Sequence, residues 1–271
     1  KPLWRGIPAR GDRFFRNTDG LVFPGESSAG PGAALDLNEK GDVLRTGQDR
    51  TLTVGEGPNE RVLGVAADWH YGAGINDVGD LATTCDTGET DQRRRGRPVR
   101  HAFLIRGTTK TDLGSLRPGL DSAAVDVNNR REVIGVSGAR GFIWRDGTMT
   151  DLGMLPGYES ARPVAINNKG QVVGTLTGSQ DVWANAFERA FLWQDGRMYG
   201  LPGPADATMM FGVDINDRGD AIGYAYYMHA MPDSITVPLL WRAGRYYDLN
   251  DIVVAGTGYE ITKPHSIDEK G

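Results

Sequence analysis

Short apolar runs along the chain are interrupted, again and again, by one polar phrase. "AALDLNEKGDVLRTG", "GAGINDVGDLAT", "AAVDVNNRREVIGVS", "PVAINNKGQVVGTL" and "FGVDINDRGDAIGYA" each join two apolar stretches through a turn that opens on Asn. A further version, "HSIDEKG", begins at His265 and ends at Gly271. Each phrase predicts a β-hairpin. In "AINNKGQVVG", Asn167 opens a type I turn by accepting a backbone N–H, and Gly170 supplies the left-handed residue after it. Arg131 stands where the other units have glycine, which predicts a strained or different turn there.

A second hairpin follows the first: "HAFLIRGTTKTDLG", "GFIWRDGTMTDLG", "AFLWQDGRMYGLPG" and "PLLWRAGRYYDLN". Asp146-Gly147 and Asp195-Gly196 are tight-turn pairs between strands. Strands such as Phe191-Leu192-Trp193 are apolar on both faces, as expected of a sheet covered on both sides. Trp144, Trp193 and Trp241 recur at one strand position and are expected in the core. Helical periodicity is weak throughout, so the chain reads as all-β.

The turn residues Asn38, Asn76, Asn128, Asn167, Asn216 and Asp268 are spaced by 38, 52, 39, 49 and 52 residues. A period near ~40–45 with insertions fits a four-stranded propeller blade, written here as strands A to D. "RFFRNTDGLVFPG" near the start matches the second half of a unit, and "HSIDEKG" matches the beginning of one. The expectation is a single β-propeller domain over 1–271 with six blades. These fall near 28–68, 69–116, 117–155, 156–203 and 204–250, with the sixth shared by 251–271 and 1–27. Closing a ring in this way removes exposed sheet edges.

These phrases resemble the HAF family of extracellular repeat proteins, named for the tripeptide that stands here as His101-Ala102-Phe103. "TDLGSL", "RAFLWQDG", "DLGMLPGYESARPVAINNKGQVVG" and "FGVDINDRGDAIG" fit the same pattern over about 13–250. The resemblance implies a bacterial, exported, propeller-like repeat protein and brings no catalytic residues with it.

Composition changes this picture little. The 38 glycines and 14 prolines sit at fixed places in the repeats rather than in low-complexity tracts. A net charge of −5 gives no general affinity for nucleic acid or anionic membrane. No apolar run approaches the ~20 residues of a membrane span, so no insertion is expected. The single cysteine, Cys85, excludes an internal disulfide framework. No signal peptide is visible at Lys1, and the missing initiator Met suggests a processed or trimmed chain. The cysteine count fits cytosol, periplasm or exterior alike, and the extracellular or periplasmic setting is what the resemblance implies. No cofactor motif is present.

Candidate chemistry concentrates in the connections between strands B and C at 83–100, 177–189 and 224–238, which decorate one rim of the predicted ring. Arg93, Arg94, Arg95, Arg97 and Arg100 form a basic run suited to an anionic group, or alternatively a solvated loop. Trp183, Phe187, Tyr226, Tyr227 and Met228 read as loop aromatics and a companion methionine. They would stack on sugars, anchor a partner, or bury themselves on the blade tops. Asp68, His70 and His229 are a weak acid–base or metal set, and Asp214, Asn216 and Asp220 a weak calcium-loop candidate. Two functions follow. One is a binding or structural module that holds a glycan, a surface polymer or another protein chain. The other is a polysaccharide lyase or hydrolase working at the channel mouth.

Overall fold

The computed structural model describes residues 14–16, 22–24, 33–46, 51–54, 61–65, 74–91, 96–178, 188–227, 235–252 and 260–268. Among these residues the chain is all-β apart from one short helix. A hairpin of β1 (Phe14–Arg16) and β2 (Val22–Pro24) precedes five antiparallel sheets. The first sheet is β3 (Ala33–Leu37), β4 (Val43–Thr46), β5 (Thr51–Val54) and β6 (Arg61–Val65). The second is β7 (Gly74–Ile75), β8 (Leu81–Asp91), β9 (Arg97–Arg106) and β10 (Thr109–Asp112). The third is β11 (Ser122–Val127), β12 (Val133–Ser137), β13 (Arg140–Arg145) and β14 (Thr148–Asp151). The fourth is β15 (Tyr158–Ile166), β16 (Val172–Gly178), β17 (Glu188–Gln194) and β18 (Arg197–Gly200). The fifth is β19 (Met209–Ile215), β20 (Ala221–Tyr227), β21 (Ile235–Arg242) and β22 (Arg245–Asp248), followed by α1 (Leu249–Ile252). Each sheet is an A–B–C–D meander. A parallel pair, Glu188 with Met209, also links the fourth sheet to the fifth.

The strands are apolar on both faces because each sheet lies between two others. In β17, Phe191 and Trp193 pack with Ile134 and Ile143 of the third sheet. The alternate residues Ala190 and Leu192 pack toward Met210, Leu239 and Trp241 of the fifth. The cores between the first and second sheets and between the second and third follow the same plan. Trp193 and Trp241 are buried, and Trp144 is half-buried against the second sheet, as the repeat position predicts.

Glycine in the middle of strand B sets the spacing within a sheet. A Cβ on Gly174 would lie 2.3 Å from the Arg162 carbonyl oxygen and 2.7 Å from the Phe191 ring. Gly135 and Gly223 meet the same two obstacles, a carbonyl of strand A and an aromatic ring of strand C.

The A–B turns are nearly superimposable in their bonding. The N–H of the fourth turn residue donates to the asparagine carbonyl at 2.9–3.0 Å in all five units. Arg131 keeps this bond and adopts φ 64, close to the glycines elsewhere, so the turn is strained but not different. Its guanidinium Nε reaches Asp80 at 2.7 Å, and this ion pair to the second sheet offsets the strain.

Two expectations change. Residues 83–91 and 97–100 are not loop: β8 and β9 run on as a two-stranded ribbon, pairing Asp86 with Arg100 and Asp91 with Arg97. Thr83, Thr84, Thr87 and Thr90 favour the extended backbone, and opposite charges face each other across it. Tyr226 and Tyr227 are likewise strand residues, paired with Thr236 and Ile235. Residues 260–268 lie beside the fifth sheet without forming a regular element. Among the described residues no strand pairs them with the β1–β2 hairpin, so a sixth sheet is not closed by them. Among the described residues no helix is long and apolar enough to cross a membrane.

Candidate functional site

The two rims of the molecule are built differently. On the A–B rim, each turn asparagine serves two sheets at once. Its Oδ1 accepts N–H groups within its own turn, as Asn167 does from Lys169 and Gln171 at 3.1 and 3.0 Å. Its Nδ2 donates to the asparagine carbonyl of the next unit: Asn38 to Asn76, Asn76 to Asn128, Asn128 to Asn167, and Asn167 to Asn216. Asn216 donates to the carbonyl of Asp268 at 3.0 Å, so the terminal segment supplies the acceptor that the next unit's asparagine carbonyl supplies elsewhere. The following residues form a second relay. The N–H of Glu39, Asp77, Asn129 and Asn168 donates to the side chain of Asp77, Asn129, Asn168 and Asp217 in turn.

Inside this relay, two residues before each turn residue, stand Asp36, Gly74, Asp126, Ala165, Asp214 and Ser266. Acidic and small residues alternate. Each aspartate accepts through Oδ1 from the next N–H of its own strand, at 2.7–2.8 Å. Through Oδ2 it accepts from the following unit: Ile75 at 2.7 Å, Ile166 at 3.0 Å and Ile267 at 2.9 Å. The small residues make room for this. A Cβ on Gly74 would lie 2.8 Å from Asp126 Oδ1, so Asp36 and Asp126 face each other across Gly74.

Burial pushes the Asp36 carboxyl well above its ordinary range, with the charges of Asp126 and Asp214 adding to the effect. Burial likewise raises Asp126, against the bonds from Ile166 and Val127. Burial raises Asp214 to about 7, with Asp126 and Glu39 adding to it and the bonds from Ile267 and Ile215 opposing it. The three side chains keep some accessible surface, yet protein atoms surround them too closely for full hydration. Asp36 of the first sheet senses Asp214 of the fifth, so the ends of these two strands A lie near one another.

The B–C rim has no such regularity. In the third unit the B–C connection is only the tight Gly138-Ala139 turn, whereas the β8–β9 ribbon projects well beyond its sheet. On that ribbon Arg97 is exposed, and Arg100 Nε sits 3.3 Å from Asp86 Oδ1. Tyr226 and Tyr227 are both half-buried. Tyr227 packs against the core between the fourth and fifth sheets, and burial, then Asp206, push its hydroxyl up. Close to Tyr226 in the same strand, Tyr224 stacks on Phe211 at 4.7 Å with Lys263 over its ring at 5.4 Å. Arg93, Arg94, Arg95, Trp183, Phe187 and Met228 lie outside the described residues, as do Asp68, His70 and His229.

The carboxylates of the calcium-loop candidate and its asparagine have other tasks. Asp214 holds Ile215 and Ile267, Asn216 holds its turn and Asp268, and Asp220 forms a two-point ion pair with Arg242. Among the described residues no cluster of three His, Cys, Asp or Glu side chains could hold a metal ion. His101 Nδ1 lies 3.0 Å from Asp112 at the surface, and His265 is exposed. Cys85 is buried, and that burial pushes its thiol up, away from nucleophile chemistry.

No family model and no curated protein matches the sequence. Solved structures do match. The β-propeller domain of the Trilobed protease from Pyrococcus furiosus, described as having an open velcro topology, is similar with a TM-score of 0.53. The match has 11% identity and covers 89% of this chain and 77% of that one. The fold is that of a β-propeller. Two lower-scoring propeller matches are a Thermus thermophilus protein described as an oxidoreductase (glucose dehydrogenase) and a protein described as a gluconolactonase. The first has a TM-score of 0.45 and 11% identity over 83% of this chain and 85% of that one. The second has 0.39 and 13% over 78% and 76%.

Proposed function

We propose that the chain is a secreted or cell-surface propeller module of the HAF-repeat kind. Its six blades close through a last blade shared by 1–27 and 251–271. Its B–C rim holds a glycan, a surface polymer or a partner protein. Residues 260–268 support the sixth blade, because Asn216 and Asp214 bind them by the bonds used between the other units. The observation that carries the functional reading is the unequal treatment of the two rims. Repeat spacings differ by up to 14 residues, yet the asparagine relay keeps its donor–acceptor distance at 2.8–3.0 Å in every unit. The extra length falls in the sequence between strands B and C of the second, fourth and fifth units, so a rigid platform carries varied connections.

The test is a glycan array that includes acidic polysaccharides, probed with the parent and two variants. One variant is Trp183→Ala. The other replaces residues 87–98 with a tight turn like the one at 138–139. Binding that weakens at least tenfold in either variant, at unchanged thermal stability, supports the rim as the site. Binding that both variants retain at parental strength removes it.

A further inference from the structure

We propose that Asp36, Asp126 and Asp214 form a proton-loaded latch on the propeller axis, which holds residues 260–268 in place while a proton is retained in the channel and releases them when all three carboxylates are charged. Each carboxylate spans two units with its two oxygens, so the three straps join the first sheet to the second, the third to the fourth, and the fifth to the terminal segment. Their charges oppose one another across the axis, because Asp36 is raised by both of the others and Asp214 by Asp126 and Glu39.

The segment at 260–268 is the weak member of the set. The first two straps are backed by apolar cores between their sheets. The segment is largely exposed and, besides the Asp214 strap, is tied by Asn216 to Asp268 and by Asn250, which exchanges two bonds with Ile261 at 2.8 and 2.9 Å. Lys263 of the segment lies over Tyr224. The other ionisable groups of the segment among the described residues are Glu260, His265 and Asp268.

The direction of the effect follows from linkage. A carboxyl raised in the folded state binds more protons there than in the released state, so the seated form is favoured at low pH. That advantage is lost as pH rises from about 4 through about 7. Amide hydrogen exchange of the full chain, corrected for the intrinsic pH dependence, reads this out at Ile267. For Asp214 alone, the protection of peptides covering Ile267 is expected to fall roughly a hundredfold between about pH 5 and about pH 8. Asp214→Asn keeps an acceptor and has no charge to titrate, so its protection is expected to stay flat. Asp126→Asn removes a charge that raises Asp214 without touching the segment and is expected to move the profile, which keeps the test open if Asp214→Asn does not fold. With that repulsion gone Asp214 ionises more readily, so the fall is expected at lower pH. The segment carries one histidine among its described residues, so the series is repeated in His265→Asn as a control. The latch is overturned by pH-independent protection in the parent, by an unchanged profile in Asp214→Asn or Asp126→Asn, or by a dependence that vanishes with His265.

Discussion

Asn167→Asp separates the two roles of the repeat asparagine. Aspartate opens such a turn as readily as asparagine, and its Oδ1 still accepts from Lys169 and Gln171. It has no N–H to offer. The bond from Asn167 Nδ2 to the Asn216 carbonyl at 2.8 Å is lost, and a carboxylate oxygen is set against that carbonyl instead. The bond from Nδ2 to Gln171 Oε1 at 2.7 Å is lost with it. Asn167 is 4% exposed, so water does not replace the missing donor. Leaving a buried acceptor unpaired costs about 1–3 kcal/mol, and the charge set beside it adds more. A total of roughly 3–5 kcal/mol is a large share of the ~5–15 kcal/mol typical of a domain. Urea unfolding followed by tryptophan fluorescence measures this as a shift in midpoint at constant slope. Asn167→Ala, which loses both roles, is the companion. If Asn167→Asp unfolds at the parental midpoint while Asn167→Ala does not, the asparagine acts only in its own turn and the relay between sheets is not a source of stability.

Two further substitutions test the packing and the turns. Gly174→Ala is expected to cost roughly 3 kcal/mol or more, because a Cβ would lie 2.3 Å from a backbone carbonyl that cannot step aside. Gly200→Ala, whose Cβ would meet only the Leu155 side chain at 3.5 Å, is expected to leave the melting temperature nearly unchanged, and equal losses in the two would refute the close-packing argument. Ala243 holds φ 51 ahead of Gly244 at φ 74, a hairpin turn in which the first position favours Asn or Asp. Ala243→Asn is expected to stabilise by about 1 kcal/mol and raise the melting temperature by a few degrees, and no gain would place the turn outside that class.

What can be read from the sequence is what local chemistry repeats. The asparagine turns, the Asp-Gly hairpins and the tryptophan positions each follow from residues within a few places of one another, so five copies make them plain. The ribbon of β8 and β9 escapes such a reading because its glycine and charge density resembles a loop. Its strands depend on cross-strand partners, Asp86 with Arg100 and Asp91 with Arg97, that only the fold brings together. The alternating column from Asp36 to Ser266 is visible once the units are aligned on their asparagines. Its meaning needs the ring, since residues about 90 apart in the chain meet only across an axis.

The asparagine relay also explains why function is hard to read. Each unit spends its most regular residues on holding the next one, and the bonds that do so are the same whether a unit is 38 or 52 residues long. A side chain that serves the relay is not free to serve a ligand. Asp214 and Asn216, which resemble a calcium loop in isolation, are engaged in this way. On the reading proposed above, chemistry specific to this protein comes from residues outside the repeat, on the rim that the relay does not constrain. The same reasoning assigns the throat a mechanical role. Three carboxylates placed where charge is costly, and each bonded to two units, couple the protonation of the channel to the grip between neighbouring blades.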